Sequence, residues 1–261
     1  MATNFLLVLL LGLFIGSFIN AMVWRLKNKK NWISGRSCCE HCAHRLSVVD
    51  LIPVISWLAL RGRCRYCGHK IGLEPLYTEI VTGVLFAGSY WLWPYPLDGI
   101  NVILFGIWLI TLTGLIALAL YDFKYMLLPN GLVIFVTVVS TFFVLFGGYS
   151  GILRISSSLY GGLALGGFFV LLWWVSKGKW IGGGDVKLSF ALGLLSGSIL
   201  GAMFVLLLSS FLGTLYGLPQ LLSKGKRSKK HVIPYGPFLI ISTYIIVLLG
   251  NQILRKVFYI N

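Results

Sequence analysis

Long apolar runs separated by short polar segments dominate the hydropathy pattern of the chain. Six runs stand alone, and each is about as long as a helix that crosses a bilayer, roughly twenty residues. A seventh, from Lys187 to Leu221, is too long for one span and contains GLLSGSILG, which suits a tight hairpin between two short helices. The pattern therefore predicts about eight transmembrane helices. The separate runs cover residues 5–24, 77–95, 99–121, 131–149, 157–176 and 233–254.

Composition supports a membrane protein. The 261 residues are 57% hydrophobic and only 11% charged, and no soluble core can bury so much apolar surface. The predicted fold class is an all-α polytopic membrane protein. The first apolar run ends without a small-residue cleavage site, so residues 1–24 are interpreted as a retained first transmembrane helix.

The net charge of +15 is informative about the orientation of the predicted helices in the membrane and does not alter the predicted fold class. With eight spans and both termini outside, every Lys and Arg except Arg154, Arg255 and Lys256 falls on the cytoplasmic side, as the positive-inside rule expects. No nucleic-acid partner is expected, because no basic, aromatic-rich soluble domain is present. The segments 25–75 and 223–232 then project inward. KGKRSKK in the second fits a topology signal, with attraction to anionic membrane lipid as the alternative.

All five cysteines lie in the segment 25–75, where they form two Cys-x2-Cys pairs. Four thiolates at this spacing can close a tetrahedral zinc site that staples a loop too small to build a core. Cys38 could replace Cys39, although only Cys39 repeats the spacing of the second pair. Nearby histidines could each replace a thiolate, but four cysteines suffice. The predicted ligands of this structural zinc are Cys39, Cys42, Cys64 and Cys67.

Two of the seven acids are flanked by apolar runs on the same side of the membrane. Asp122 ends the third predicted span, and Asp185 opens the sixth. Ionisable residues at membrane depth are costly and usually functional. Two such carboxylates can share one proton, so that one acts as acid while the other activates a water molecule against a peptide carbonyl. The alternatives are that Asp185 caps its helix and that Asp122 pairs with Lys124 or Lys187.

Glycines precede the second of these acids: Gly182, Gly183 and Gly184 lead directly to Asp185. They are expected to adopt unusual torsions and to let another chain approach closely, so that an extended substrate lies beside the carboxylate. Pro129, with the Asn and Gly that follow it, predicts a turn after Asp122 and the start of a new helix.

Taken in order along most of the chain, these motifs resemble the type IV prepilin peptidases. Gly-x-Gly-Asp alone is a weak signal, because presenilin-like intramembrane proteases share it. The ordered set is specific. Its members are GLFIGSFINAMVWRL (12–26), the cysteine loop with DLIPVISWLALRGRCRYC (50–67), PLYTEI (75–80), Asp122 with Leu128 and Pro129, GGGDVKLSFALG (182–193) and IPYGPFL (233–239).

The resemblance implies an aspartic endopeptidase of the bacterial cytoplasmic membrane that removes the basic leader from prepilins and pilin-like secretion or competence proteins at the cytoplasmic face. Asp122 and Asp185 would be the catalytic pair. Family members with the cysteine loop commonly also methylate the new N-terminus, with S-adenosylmethionine as methyl donor. The implied division is a first helix (1–24), a methylation-associated zinc loop (25–75) and a peptidase region (76–261). Glu79 and Asp50 are the acids expected near the cofactor or the substrate amine, although Glu79 could also be a simple helix-end acid.

The sequence departs from the family pattern at three places. Cys-Pro-x-Cys is Cys39-Glu-His-Cys42, Asp-Asn-Ile-Pro begins at Asp50 with Leu in second place, and Leu-Pro-Asp ends in Asn130. None of these changes touches the two aspartates, whereas the first two lie in the loop associated with methylation. Three competing hypotheses are a presenilin-like protease that cuts within substrate spans, a proton-coupled transporter that uses the aspartates, and a scaffold that docks a partner on its zinc loop.

Overall fold

The computed structural model describes residues 2–31, 35–222 and 233–258, so the basic stretch KGKRSKK lies outside the described residues. Within those ranges the fold is all-helical, with one 3-10 turn at Val49–Leu51 and no strand beyond two isolated bridges. The α-helices are α1 (Ala2–Lys27), α2 (Ile55–Ala59), α3 (Glu74–Leu92), α4 (Asn101–Tyr125), α5 (Asn130–Tyr149), α6 (Ile155–Ser176), α7 (Gly183–Leu195), α8 (Ile199–Leu222) and α9 (Gly236–Phe258).

The helical pattern predicted from hydropathy is confirmed. Each separate apolar run forms one helix whose ends lie within a few residues of those predicted, and the long block forms two helices, α7 and α8. The turn between these two falls within GLLSGSILG, where Gly197 has a φ of +74°. A left-handed torsion of this kind favours glycine and permits the short reversal.

Five helices, α1, α4, α5, α6 and α8, are long and apolar enough to cross a membrane. With 13 residues, α7 is only about 20 Å long, which is less than the roughly 30 Å hydrocarbon core. The chain is therefore a multi-pass helical membrane protein, while the count of eight spans stays a prediction.

The chain divides into two compact units, Met1–Trp93 and Pro94–Asn261. In the first unit, α1 and α3 pack along each other. A Cβ on Gly12 would lie 2.8 Å from the Cα of Gly83, and one on Gly16 would lie 2.7 Å from the Cα of Glu79. Small residues therefore bring the two helix backbones into direct contact, as is common between membrane helices.

In the second unit, α4 is the most buried of the five long apolar helices. It packs against α5 and α9, both of which also contact α7, and its side chain Trp108 is fully buried. Large apolar side chains on other helices, such as Phe142 on α5 and Phe211 on α8, are more than half exposed. Because lipid solvates apolar surface, these outward faces fit a bilayer environment.

In the second unit, α6 and α7 pack backbone against backbone. A Cβ on Gly161 would lie 2.7 Å from the carbonyl oxygen of Gly193, and a Cβ on Gly193 would lie 2.5 Å from that of Gly161. Any side chain at either position must push the helices apart. Since α7 carries Asp185, this contact also sets where that carboxylate lies.

We expect Gly161→Val to destabilise the protein, because overpacking of a tight contact costs roughly 1–3 kcal/mol. The matched control is Gly167→Val on the same helix, where an added Cβ meets nothing within 4 Å. Thermal unfolding in detergent should show a lower midpoint for Gly161→Val alone. Equal midpoints for the two variants would mean that the α6–α7 contact does not limit stability.

Candidate active site and metal centre

The first predicted acid, Asp122, lies in the last turn of α4 and is 6% exposed. The helix ends shortly after it at Met126, whose φ of +52° is left-handed and whose N–H donates to the Asp122 carbonyl at 2.7 Å. The sequence placed Asp122 at the end of a span, whereas the structure includes it within the helix. This position turns its carboxylate into the interior of the second unit.

The second predicted acid, Asp185, is the third residue of α7, directly after Gly184. The N-cap position of α7 is occupied by Gly182, so the interpretation of Asp185 as the N-cap residue is wrong. Its Oδ1 is buried and has no hydrogen-bond partner within the described part of the chain. A buried acceptor without a donor is costly, which makes this oxygen a candidate for contact with a ligand.

The two carboxylates meet beside Gly236, the first residue of α9. A Cβ built on Gly236 would lie 2.8 Å from Oδ2 of Asp122 and 3.6 Å from Oδ1 of Asp185. The backbone N–H of Gly236 donates a hydrogen bond to the Asp122 carboxylate. Both acids therefore face the same point at the N-terminus of a helix, whose dipole favours negative charge.

No ion pair to either aspartate is present among the described residues. Lys187 instead donates to Oδ1 of Asn130 at 2.9 Å. Like charges a few ångströms apart cannot both ionise easily, so one proton is expected to be shared between them. Such a pair can give and take a proton in one reaction.

The backbone torsions of the glycines before Asp185 differ from those expected from the sequence. None of them has a positive φ, and Gly182 has an ordinary extended conformation with φ −69° and ψ 143°, so the prediction of unusual torsions is wrong. At Gly184 a Cβ would lie 2.9 Å from the Cβ of Leu128, so this glycine lets Leu128 of the same chain pack closely, while close approach of a substrate chain stays a prediction. A Cβ on Gly183 would meet nothing within 4 Å. The glycines therefore matter for the space around Asp185 and not for torsional freedom.

Sequence reasoning missed Gly236 as a site residue, although its motif was recognised. The preceding residue, Tyr235, anchors this helix start: its hydroxyl lies 2.8 Å from Oγ of Ser209, and its ring lies 6.1 Å from that of Phe169. The one local signal was Pro237, since proline is favoured in the first turn of a helix. Nothing in the sequence shows that this helix start faces Asp122.

The predicted cysteine cluster assembles in the first unit. Its four Sγ atoms all lie within 4.8 Å of one another, with 3.9 Å between those of Cys39 and Cys67. Tetrahedral coordination with zinc–sulfur bonds of about 2.3 Å requires sulfur atoms about 3.8 Å apart. The thiol set therefore fits a tetrahedral metal ion. Its members are Cys39, Cys42, Cys64 and Cys67.

The two cysteine pairs sit on equivalent turns, which favours Cys39 over Cys38 as the fourth member of the cluster. The N–H of Cys39 donates to the carbonyl of His44, and the N–H of Cys64 donates to that of His69, both at 2.9 Å. Cys38 instead forms an isolated bridge with Arg45. The thiol cluster contains Cys39, as the spacing predicted, and the described histidines do not join it; its role as a zinc site stays a prediction.

Asp50 holds the loop together. Its carboxylate accepts hydrogen bonds from Arg65 Nε at 2.7 Å, from the Ser47 hydroxyl at 2.8 Å and from the Tyr66 hydroxyl at 3.0 Å. Burial alone would raise the pKa of Asp50, but these hydrogen bonds outweigh it and lower the pKa to about 2. All its described partners belong to the loop, which favours a structural role over contact with a cofactor or substrate.

Glu79 lies in the first unit and is 7% exposed. It is the sixth residue of α3, and its Oε2 accepts the N–H of Val54 at 2.7 Å. It therefore sits inside the helix and joins α3 to the loop, and it is not a simple helix-end acid. It shares no described hydrogen-bond partner with Asp50, which bonds to the second cysteine turn.

Comparisons with known proteins agree along nearly the whole chain. Residues 10–93 match the Bacterial Peptidase A24 N-terminal domain, and residues 109–218 match the Type IV leader peptidase family. The chain is 31% identical to the prepilin leader peptidase/N-methyltransferase of Bacillus subtilis, over 98% of this chain and 97% of that protein. The proteins of the same name from Pseudomonas aeruginosa and Aeromonas hydrophila are 30% and 33% identical, each over 96% of this chain and 92% of the relative. No solved structure matches the chain significantly.

The cysteine geometry makes a direct prediction for metal binding. Cys39→Ser should lose tetrahedral cobalt(II) binding, because one of four thiolates is removed, whereas Cys38→Ser should keep it. The readout is the thiolate-to-cobalt charge-transfer absorbance of the purified protein. Loss of the band in both variants, or in Cys38→Ser alone, would contradict the assigned ligand set.

Proposed function

The chain belongs to the type IV prepilin peptidase family, and on this basis we propose that it is an aspartic endopeptidase that removes the basic leader from prepilins and pilin-like proteins. The single observation that carries the proposal is the meeting of Asp122 and Asp185 beside Gly236. Relatives that cover nearly all of the chain bear the name prepilin leader peptidase/N-methyltransferase, which supports prepilin processing.

The reaction needs one carboxyl group protonated and one ionised. The ionised carboxylate takes a proton from water as its oxygen adds to the scissile carbonyl carbon, while the protonated one donates to the carbonyl oxygen. When the tetrahedral intermediate collapses, the C–N bond breaks and the leaving nitrogen takes up a proton. The pair titrates as one unit, so neither Asp122 nor Asp185 is assigned a fixed role.

Gly236 would serve this reaction in two ways. Its N–H orients the Asp122 carboxylate, and its lack of a side chain leaves open the point that both acids face. The buried Oδ1 of Asp185, which has no described partner, would be free to contact water or the peptide. A substrate segment that lies in this space would present its carbonyl to both acids.

The site would face the cytoplasm. The end of α4 and the starts of α7 and α9 carry the three site residues. Lys124 lies in the last turn of α4, and the connections that precede α7 and α9 hold Lys177, Lys179 and the basic stretch 224–230. The positive-inside rule assigns such connections to the cytoplasmic side of the inner membrane. Basic leaders would then meet the enzyme at the cytoplasmic face of the membrane, with lipid around the helices.

We further propose that the four thiolates hold a structural zinc ion and that the enzyme methylates the new N-terminus. A closed four-thiolate shell leaves no open position, so the ion would stabilise the loop 25–75 without taking part in catalysis. S-adenosylmethionine would supply an electrophilic methyl group. A buried carboxylate without a described counter-charge, that of Glu79, suits a cationic ligand. The division into 1–24, 25–75 and 76–261 stays a proposal.

Asp122→Asn and Asp185→Asn should each reduce cleavage of a purified full-length prepilin by at least about a thousandfold, because the remaining acid cannot supply both proton transfers. The control is Asp98→Asn in the exposed turn before α4. Product mass measures the loss of the leader. Wild-type-like cleavage by either variant would overturn the assignment, and a cut inside the hydrophobic segment would favour the presenilin-like alternative.

Gly236→Ala should reduce the rate of cleavage by about a hundredfold, because its Cβ displaces the Asp122 carboxylate and catalysis is sensitive to such shifts. Gly106→Ala on α4, where an added Cβ meets nothing within 4 Å, is the control. The measurement is kcat for prepilin cleavage together with the unfolding midpoint. A normal kcat for Gly236→Ala would show that the start of α9 does not shape the site.

A further inference from the structure

A second buried polar site lies where α1 meets α3 in the first unit. Its centre is the carboxylate of Glu79, which accepts hydrogen bonds from the Val54 N–H and the Ser17 side chain. It forms no ion pair within the described residues. A carboxylate can accept about four hydrogen bonds, so this one keeps capacity for further donors. Buried charges in proteins are usually paired, so a buried carboxylate without a described counter-charge is a functional candidate.

Asn20 brings a second acceptor to the same helix contact. Its Nδ2 donates to the carbonyl of Pro75 at 3.2 Å, one helical turn before Glu79 on α3. Its Oδ1 is buried and has no hydrogen-bond partner among the described residues. On α1, Asn20 lies one turn after Gly16, whose Cβ would touch the Glu79 backbone. The two acceptors therefore face the same junction of α1 and α3.

The loop 25–75 also borders this polar site, through a strained turn at Val54. Ile55 N–H donates to the Pro53 carbonyl at 2.6 Å, which closes a γ-turn centred on Val54 with φ 63° and ψ −53°. This conformation is rare and unfavourable for a β-branched residue. It directs the Val54 N–H to Glu79. Strain of this kind persists where surrounding contacts enforce it, and it is frequent at functional sites.

We propose that Glu79 and Asn20 bind the primary ammonium group at the N-terminus of the processed substrate. The site offers unfilled acceptors and a negative charge, and an ammonium group brings three N–H donors and a positive charge. Leader cleavage creates such an amine, and N-methylation must hold it. The inference therefore rests on the proposed function, and it places the amine at a site formed by the first unit alone.

The test measures binding of a short peptide with the sequence of the mature N-terminus, labelled at its C-terminal end, to the full chain in nanodiscs. Wild type should bind the free-amine peptide at least about tenfold more tightly than its N-acetylated form, since charged hydrogen bonds are strong. Glu79→Gln should abolish this preference, because it keeps an acceptor for Val54 but loses the charge. Glu74→Gln, an exposed carboxylate at the start of the same helix, should retain the preference.

A purely structural Glu79 would weaken both peptides equally, and that result would overturn the proposal. If Glu79→Gln does not fold, Asn20→Ala should still reduce the preference severalfold, and an unchanged preference would count against the site. S-adenosylmethionine binding is measured in parallel. Its loss in Glu79→Gln with the amine preference intact would assign the acid to the methyl donor and refute the proposal. Cleavage of prepilin by wild type, assayed separately, tests the proposed function itself.

Discussion

The second unit depends on holding two uncompensated carboxylates at one point in an apolar helix bundle. Charge is costly there, and Asp122 stands at the C-terminal end of α4, where the helix dipole is unfavourable for an anion. The start of α9 offsets this, because the Gly236 N–H donates to Asp122, and Asp185 occupies the favourable first turn of α7. The starts of α7 and α9 therefore supply favourable helix dipoles to the two carboxylates, and the end of α4 brings Asp122 to them.

The same physical device, close backbone approach at glycine, recurs in both units. Lipid gives little hydrophobic drive for helices to associate, so contact between backbones has to supply the attraction. Gly16 on α1 serves this purpose beside Glu79, and Gly161 serves it beside Gly193. At Gly236 the same absence of a Cβ leaves space next to the acids. Helix packing and the space beside the acids therefore both depend on the absence of a side chain at glycine.

Hydropathy predicted the helices and the hairpin between α7 and α8. In lipid, an apolar segment of sufficient length has to form a helix, so length and apolarity nearly determine both features. Spacing predicted the cysteine set for a similar reason, since metal geometry limits the choices. Neither hydropathy nor spacing predicts which residues of different helices lie next to each other. The contact of Gly236 with Asp122 joins helices that are distant in sequence, and the torsions of Gly182 were mistaken because glycine composition does not distinguish torsional need from spatial need.

The loop 25–75 has almost no hydrophobic core. Between residues 35 and 73 of the described chain, only Pro53, Gly62 and Cys64 are buried, so burial alone cannot order it. Its order comes from the thiol cluster and from Asp50. Neither depends on the places where the sequence departs from the family pattern: Glu40 and His41 lie between ligands, and Leu51 lies beside the acid that forms the bonds. The departures therefore leave the framework of the loop intact, including the Val54 turn that reaches Glu79.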